Sequence, residues 1–271
     1  MNKITPDHHI HHAFDQELRQ LDAVVLKMCD QVTSLLQDAI TAVTTGDLEL
    51  ASAVVKRDQE IDELEFLVKE KTVQILALRE PKAVDLRWVI AALESASNLE
   101  RMGDMAKNIA KRVAILTSFA PMDGIAEINR MAHMIIDFME KIRQSWAEKN
   151  STPALEAWNG DALVDTLFDA LFKNLMVVMI HSPRNITQGT HLLFIAKNLE
   201  RIGDHITNIA ESIYYLETGK KIGSTRPKTD DHYRTSIPLS APSGNASGTS
   251  DTRNCEPVAI TIPKEISSNS K

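Results

Sequence analysis

The 271-residue sequence predicts an all-α fold, a duplicated three-helix unit followed by a polar tail, and three observations carry that prediction. Aromatic residues supply only 5% of the chain, little volume for an all-β sandwich. Apolar residues recur at helical spacing in six long stretches of the first 220 residues, which are poor in turn formers. Residues 93–110 (LESASNLERMGDMAKNIA) match residues 193–210 (LFIAKNLERIGDHITNIA) at an offset of 100, with 11 identities in 18 positions.

The elements follow in order. The first helix is expected from Phe14 to Thr44, through Leu18, Leu21, Val25, Met28, Val32 and Leu35, and stops at Thr45-Gly46-Asp47. Asp47 suits the N-cap of a second helix running to Glu80. Pro81 suits the first turn of a third, which continues to about Ser118. A fourth follows Pro121 to about Glu148. Thr152-Pro153 and Ser182-Pro183 open the fifth and sixth, each pair read as N-cap and first helical position, and the sixth ends at Gly219.

The repeat extends upstream of the strongest match. Asp58 and Asp62 correspond to Asp161 and Asp165 at an offset of 103, and Met28 to Met131. The expected organisation is therefore one three-helix repeat over residues 1–120 and a second over 121–221. Residues 222–271 lose the helical period, are rich in Ser, Thr, Pro, Gly and Asn, and hold five of the ten prolines, so a disordered tail is expected.

Composition narrows the function classes. A net charge of −7 disfavours a grip on nucleic acid and leaves cation binding open. Two cysteines without ligand spacing, Cys29 and Cys255, support neither a disulfide framework nor a thiolate zinc site. With no signal peptide and no apolar run near the roughly 20 residues of a membrane span, a soluble cytoplasmic protein is expected. His8, His9, His11 and His12 read as a solvated N-terminus rather than a metal site. There is no phosphate loop, nucleotide fingerprint or Ser/His/Asp set, so no enzyme is expected.

The sharpest chemical feature is a pair of carboxylates four residues apart, found twice in each repeat. On a helix such residues share a face, so Asp58 with Asp62 and Glu100 with Asp104 can each present two acids to one point. Like charges so placed cost about 0.2–0.5 kcal/mol when exposed, and the repetition calls for a counter-ion. Glu100 and Asp104 lie about 150° around the helix from the apolar stripe of Leu99, Met102 and Ile109, which directs them away from the core. Antiparallel second and third helices would bring Asp58, Asp62, Glu100 and Asp104 together on an outer face, with Asp161, Asp165, Glu200 and Asp204 as the twin set. Hard cations suit such oxygens. Solvated helix faces carry the same pattern, so the bland reading stands beside this one. Gly103 and Gly203 cost roughly 1 kcal/mol each inside helices, for which a metal's approach and tight helix packing are both explanations. Trp146 and Trp158 read as packing residues.

Asn98-Leu-Glu-Arg-Met-Gly-Asp104 and Asn198-Leu-Glu-Arg-Ile-Gly-Asp204-His205, each leading to Asn-Ile-Ala, with Asp85-Leu-Arg87 ahead of the first, resemble the PhoU family of phosphate-signalling proteins over about residues 12–218. The resemblance implies two pseudo-symmetric three-helix bundles. It also implies a negative regulator of phosphate-starvation genes, acting through the ATPase subunit of the phosphate ABC transporter and its sensor histidine kinase. A homodimer in peripheral contact with the inner membrane through these partners is implied as well. Some members carry multinuclear metal sites in the E/D-x-x-x-D motifs. By motif match that role falls on Glu100, Asp104, Glu200 and Asp204, and by the DxxxD matches on Asp58, Asp62, Asp161 and Asp165, with Fe, Mn, Mg or Zn as the expected ions. Arg101 and Arg201 are the weaker candidates for partner or phosphate binding. Asn98 and Asn198 depart from the Asp often found in the family, which bears on the ligand count, and the tail has no counterpart at the usual family length. The alternative is a carboxylate-bridged metal enzyme, hydrolase or oxidase, on a helical bundle; the missing Glu-x-x-His motif counts against a ferritin-like oxidase.

Overall fold

The structure is a computed structural model that describes residues 6–223, with side chains from Phe14 onward. Among the described residues seven α-helices follow in order: α1 Pro6–Thr45, α2 Leu48–Arg79, α3 Val84–Ala110, α4 Val113–Leu116, α5 Ile125–Glu148, α6 Ser151–His181 and α7 Ile186–Thr218. They belong to one packing unit. The expected tail beyond residue 223, with all five of its prolines, lies outside the described residues.

Local chemistry sets most helix ends. Asp47 caps α2 as expected, its Oδ1 accepting from Leu50 N–H at 2.9 Å. Gly219 ends α7 in the left-handed region at φ 68°. Other ends differ from expectation. Pro81 lies ahead of α3 instead of inside its first turn, because α2 closes on a left-handed Glu80 and Ala83, at φ 50°, redirects the chain before Val84. Lys111 and Arg112 interrupt the third helical stretch and leave α4 as a separate turn. The cap of α6 is Asn150, not Thr152: its side chain accepts from Thr152 N–H at 3.0 Å, Glu217 accepts from Ser151 N–H at 2.7 Å, and Ser145 Oγ accepts from Ala154 N–H at 2.7 Å. Three donors of that first turn are thus satisfied by side chains from three places. Ser182 and Pro183 open a short 3-10 turn, Pro183–Asn185, before α7 begins. At the other terminus α1 starts at Pro6, eight residues earlier than the periodicity suggested, so the backbone of the histidine run is helical.

Packing follows the repeat. α1, α2 and α3 pack on one another, as do α5, α6 and α7, while α1 against α5 and α3 against α7 join the two sets. Met28 and Met131 are both fully buried in their equivalent places. Leu99, Met102 and Ile109 of α3, with Leu199, Ile202 and Ile209 of α7, form the matching inner stripes, each side chain contributing on the order of 1.5–3 kcal/mol by burial. A polar seam runs along the α3–α7 contact. Asn98 Oδ1 lies 2.9 Å from His205 Nδ1 and accepts from Asn208 Nδ2 at 3.2 Å, and Ser212 Oγ donates to Glu94 at 2.8 Å. Further along, the Arg112 guanidinium stands 4.3 Å above the Phe194 ring and 3.1 Å from His191 Nδ1.

Candidate functional site

The close approach of α2 to α3, and of α6 to α7, comes from the two interior glycines. A Cβ at Gly103 would fall 2.9 Å from Ile61 Cδ1 and 3.3 Å from Asp58 Oδ1, and one at Gly203 would collide with Asp161 Oδ1. Tight helix packing therefore explains both glycines, and what sits over each is a carboxylate of the neighbouring helix.

That packing corrects the expected outward orientation. The side of α3 opposite its apolar stripe is not left to solvent, because α1, α2 and α7 all pack on this helix. Asp58 is 4% exposed, and Asp161, Asp165 and Glu200 are buried too. Glu100, Asp104 and Asp204 are intermediate, and of the eight acids Asp62 is the exposed one.

In the first repeat a lysine occupies the centre of the acidic set. Lys107 Nζ forms an ion pair with Asp58 Oδ2 and another with Asp104 Oδ1 at 2.6 Å, joining α2 to α3. Burial opposes the lysine's charge, but its hydrogen bonds to Asp104 and Asp58 prevail and raise its pKa. Partial desolvation, then the Asp58 charge, raise the Asp62 pKa against the pull of Lys107. Desolvation also raises that of Glu100, opposed by Arg101 and reinforced by Asp104, Glu65 and Asp62.

The second repeat differs at that centre. Thr207 holds the position of Lys107, and its hydroxyl donates to the Asp204 main-chain oxygen at 2.8 Å. Lys197, on α7, pairs with Glu200 at 2.7 Å and stands 5.3 Å from the Phe168 ring centre. Asp161 faces Gly203, which brings the α6 acids onto α7.

Among the described residues, no three His, Cys, Asp or Glu side chains converge closely enough to hold a metal ion. Asn98 and Asn198 are engaged structurally: each side-chain amide donates to a carbonyl one turn back at 2.8 Å, and Asn98 also binds across the seam. Arg101 is exposed and 3.4 Å from Glu100, while Arg201 is exposed beside His205. Burial, then Arg201, lowers the His205 pKa. Lys107, Lys197 and Glu65 were not singled out by the motifs. Lys107 falls three residues after Asp104 and Lys197 three before Glu200, a helical pairing distance, so spacing held the signal.

Comparison with known proteins places this geometry. The PhoU domain model matches residues 25–113 and again residues 128–213. A phosphate-specific transport system accessory protein PhoU homolog of Caulobacter vibrioides is 42% identical over 219 residues, covering 80% of this chain and 95% of the relative. The homolog of the same name from Rhizobium meliloti is 38% identical over 223 residues, 82% and 94% of the two chains. The crystal structure of PhoU from Pseudomonas aeruginosa superposes with a TM-score of 0.74 at 31% identity, covering 76% of this chain and 100% of that one. PhoU from Streptococcus pneumoniae, described as a phosphate transport system regulatory protein, gives 0.72 at 29% identity, covering 78% and 100%. A doubled domain match that spans most of the chain, on helices paired as the repeat requires, means that the chain belongs to the PhoU family.

Proposed function

We propose that this chain is an accessory regulator of a phosphate-specific transport system and helps keep phosphate-starvation genes repressed when phosphate is sufficient. The observation that carries the reading is the doubled PhoU domain, together with relatives named as accessory proteins of that system over nearly their whole length. In this reading the protein acts by docking. The ATPase subunit of the transporter and the sensor histidine kinase are its partners, the homodimer its working form, and the cytoplasmic side of the inner membrane its place. No described helix is long and apolar enough to cross a membrane, which agrees with attachment through partners. The relatives lend no support to the alternative of a carboxylate-bridged metal enzyme.

Cation binding belongs to the proposal as well. A metal cation, Fe, Mn, Mg or Zn, would draw on Asp161, Asp165, Glu200 and Asp204, whose oxygens suit the harder of these ions best. It would bridge carboxylates of α6 and α7 and stiffen the one helix against the other. Binding there requires the side chains to converge further than they do in the present arrangement. Arg101 on α3 and Arg201 on α7, both exposed, are the proposed contacts to an acidic partner surface or phosphate.

Co-purification from the source organism tests the docking. The tagged full chain should bring down the transporter ATPase and the kinase, more weakly in an Arg101→Ala/Arg201→Ala variant. Recovery of neither under crosslinking would overturn it.

A further inference from the structure

We propose that the first acidic face of this chain is closed to metal because Lys107 already supplies its counter-ion. The inference rests on reading the acidic faces as cation sites. Lys107 Nζ engages one carboxylate from each of the two helices that a bridging cation would join, Asp58 on α2 and Asp104 on α3. Asp58 is buried, and its carboxylate lies over Gly103, so the lysine meets it at a fixed place. An ammonium group carries three donors and no acceptor. It therefore consumes the same oxygens that a hard dication needs, and being tethered to the chain it competes without the loss of freedom that a dissolved ion suffers on binding. A divalent ion at that place would also have to stand beside the lysine's own positive charge.

The duplication supplies the internal comparison. At an offset of 100 from Lys107 stands Thr207, a side chain without charge whose hydroxyl is turned to a main-chain oxygen of its own helix. The lysine of the second face, Lys197, lies on the other side of Glu200 in sequence and is half exposed. The first repeat thus carries a cation within the chain at the junction of its two carboxylate-bearing helices, where the second repeat has an uncharged threonine.

Manganese counting on the chelator-stripped full chain tests this, with Mn²⁺ as the probe and elemental analysis and calorimetric titration as readouts. In the wild-type chain, Glu100→Gln should leave bound manganese unchanged. Lys107→Thr, which copies the second repeat, should bind extra manganese that a further Glu100→Gln removes, about twice the wild-type amount if the second face is loaded. Its melting temperature, lowered without metal, should recover on adding Mn²⁺, which separates a blocked site from a damaged fold. Lys107→Arg keeps the charge and should behave as wild type. A wild-type chain that loses manganese on Glu100→Gln overturns the proposal. So does a folded Lys107→Thr chain that binds no more than wild type. If wild type binds no manganese at all, the cation reading of the second face fails, while the Lys107→Thr arm still decides: a gain supports the blocking lysine and no gain overturns it.

Discussion

Lys107 of α3 forms an ion pair with Asp58 of α2, across 49 residues of sequence and at the point where Gly103 lets the two helices approach. Asp58 is buried, so loss of its partner would strand a charge. Lys107→Met should lower the free energy of unfolding by about 2–4 kcal/mol, the usual range for breaking a buried pair reduced for the lysine's partial exposure. Urea melts of Lys107→Met, Asp58→Asn and the double variant form the cycle that isolates the pair. A coupling indistinguishable from zero would contradict the assignment.

The glycines should not tolerate even one methyl group. Gly203→Ala drives a Cβ into Asp161 Oδ1, and the expected loss is about 1–3 kcal/mol. Gly103→Ala should cost less, since its nearest neighbour is the mobile end of Ile61. Thermal unfolding of the two variants side by side gives the order; Gly103→Ala as the more damaging would contradict it.

Asp22 ties α1 to α3 and α5 at the far end of the bundle. It accepts from Trp88 Nε1 at 2.7 Å and lies 3.7 Å from Lys149, yet burial outweighs both contacts and raises its pKa. A raised carboxyl pKa favours the folded state most below the unfolded value, near 4, and that contribution is lost as pH rises through the folded value. Asp22→Asn keeps an acceptor for Trp88 without the buried charge. It should melt at or above the wild-type temperature at pH 7, with the gap closing as pH falls towards about 4. Asp22→Ala, which leaves the indole donor unpaired, should lose about 1–3 kcal/mol. A stability gap between wild type and Asp22→Asn that widens on acidification would reverse the sign of this account.

Cys29 is fully enclosed in α1, and burial followed by the charge of Asp30 pushes its thiol up to about 12. In a Cys255→Ser background the native protein should react with a thiol reagent only on unfolding, because the thiolate is the reactive species. Fast labelling at pH 8 without denaturant would contradict the burial.

Much of the architecture was readable from periodicity, and the reasons for the exceptions are physical. The inner stripes, the Asp47 cap and the repeat all depend on neighbours in sequence, and each appears where spacing places it. The start of α3 does not, because a positive φ at Ala83 leaves no compositional trace. Asn150 caps α6 with help from Ser145 and Glu217, and Glu217 is 66 residues from the donor it satisfies. At the candidate site the eight acids were legible as i, i+4 pairs. The burial of Asp58, Asp161, Asp165 and Glu200 was not, since a helical wheel knows one helix while α2 packs on α3 and α6 on α7. Lys107 went unread for a related reason: its i+3 spacing to Asp104 is ordinary, and only the tertiary pairing with Asp58 makes it central.

The regulatory role is decided by alkaline phosphatase activity in a deletion strain grown with ample phosphate. Activity should be high in the deletion strain and repressed again on return of the full chain. Phosphatase that stays repressed in the deletion strain would contradict it.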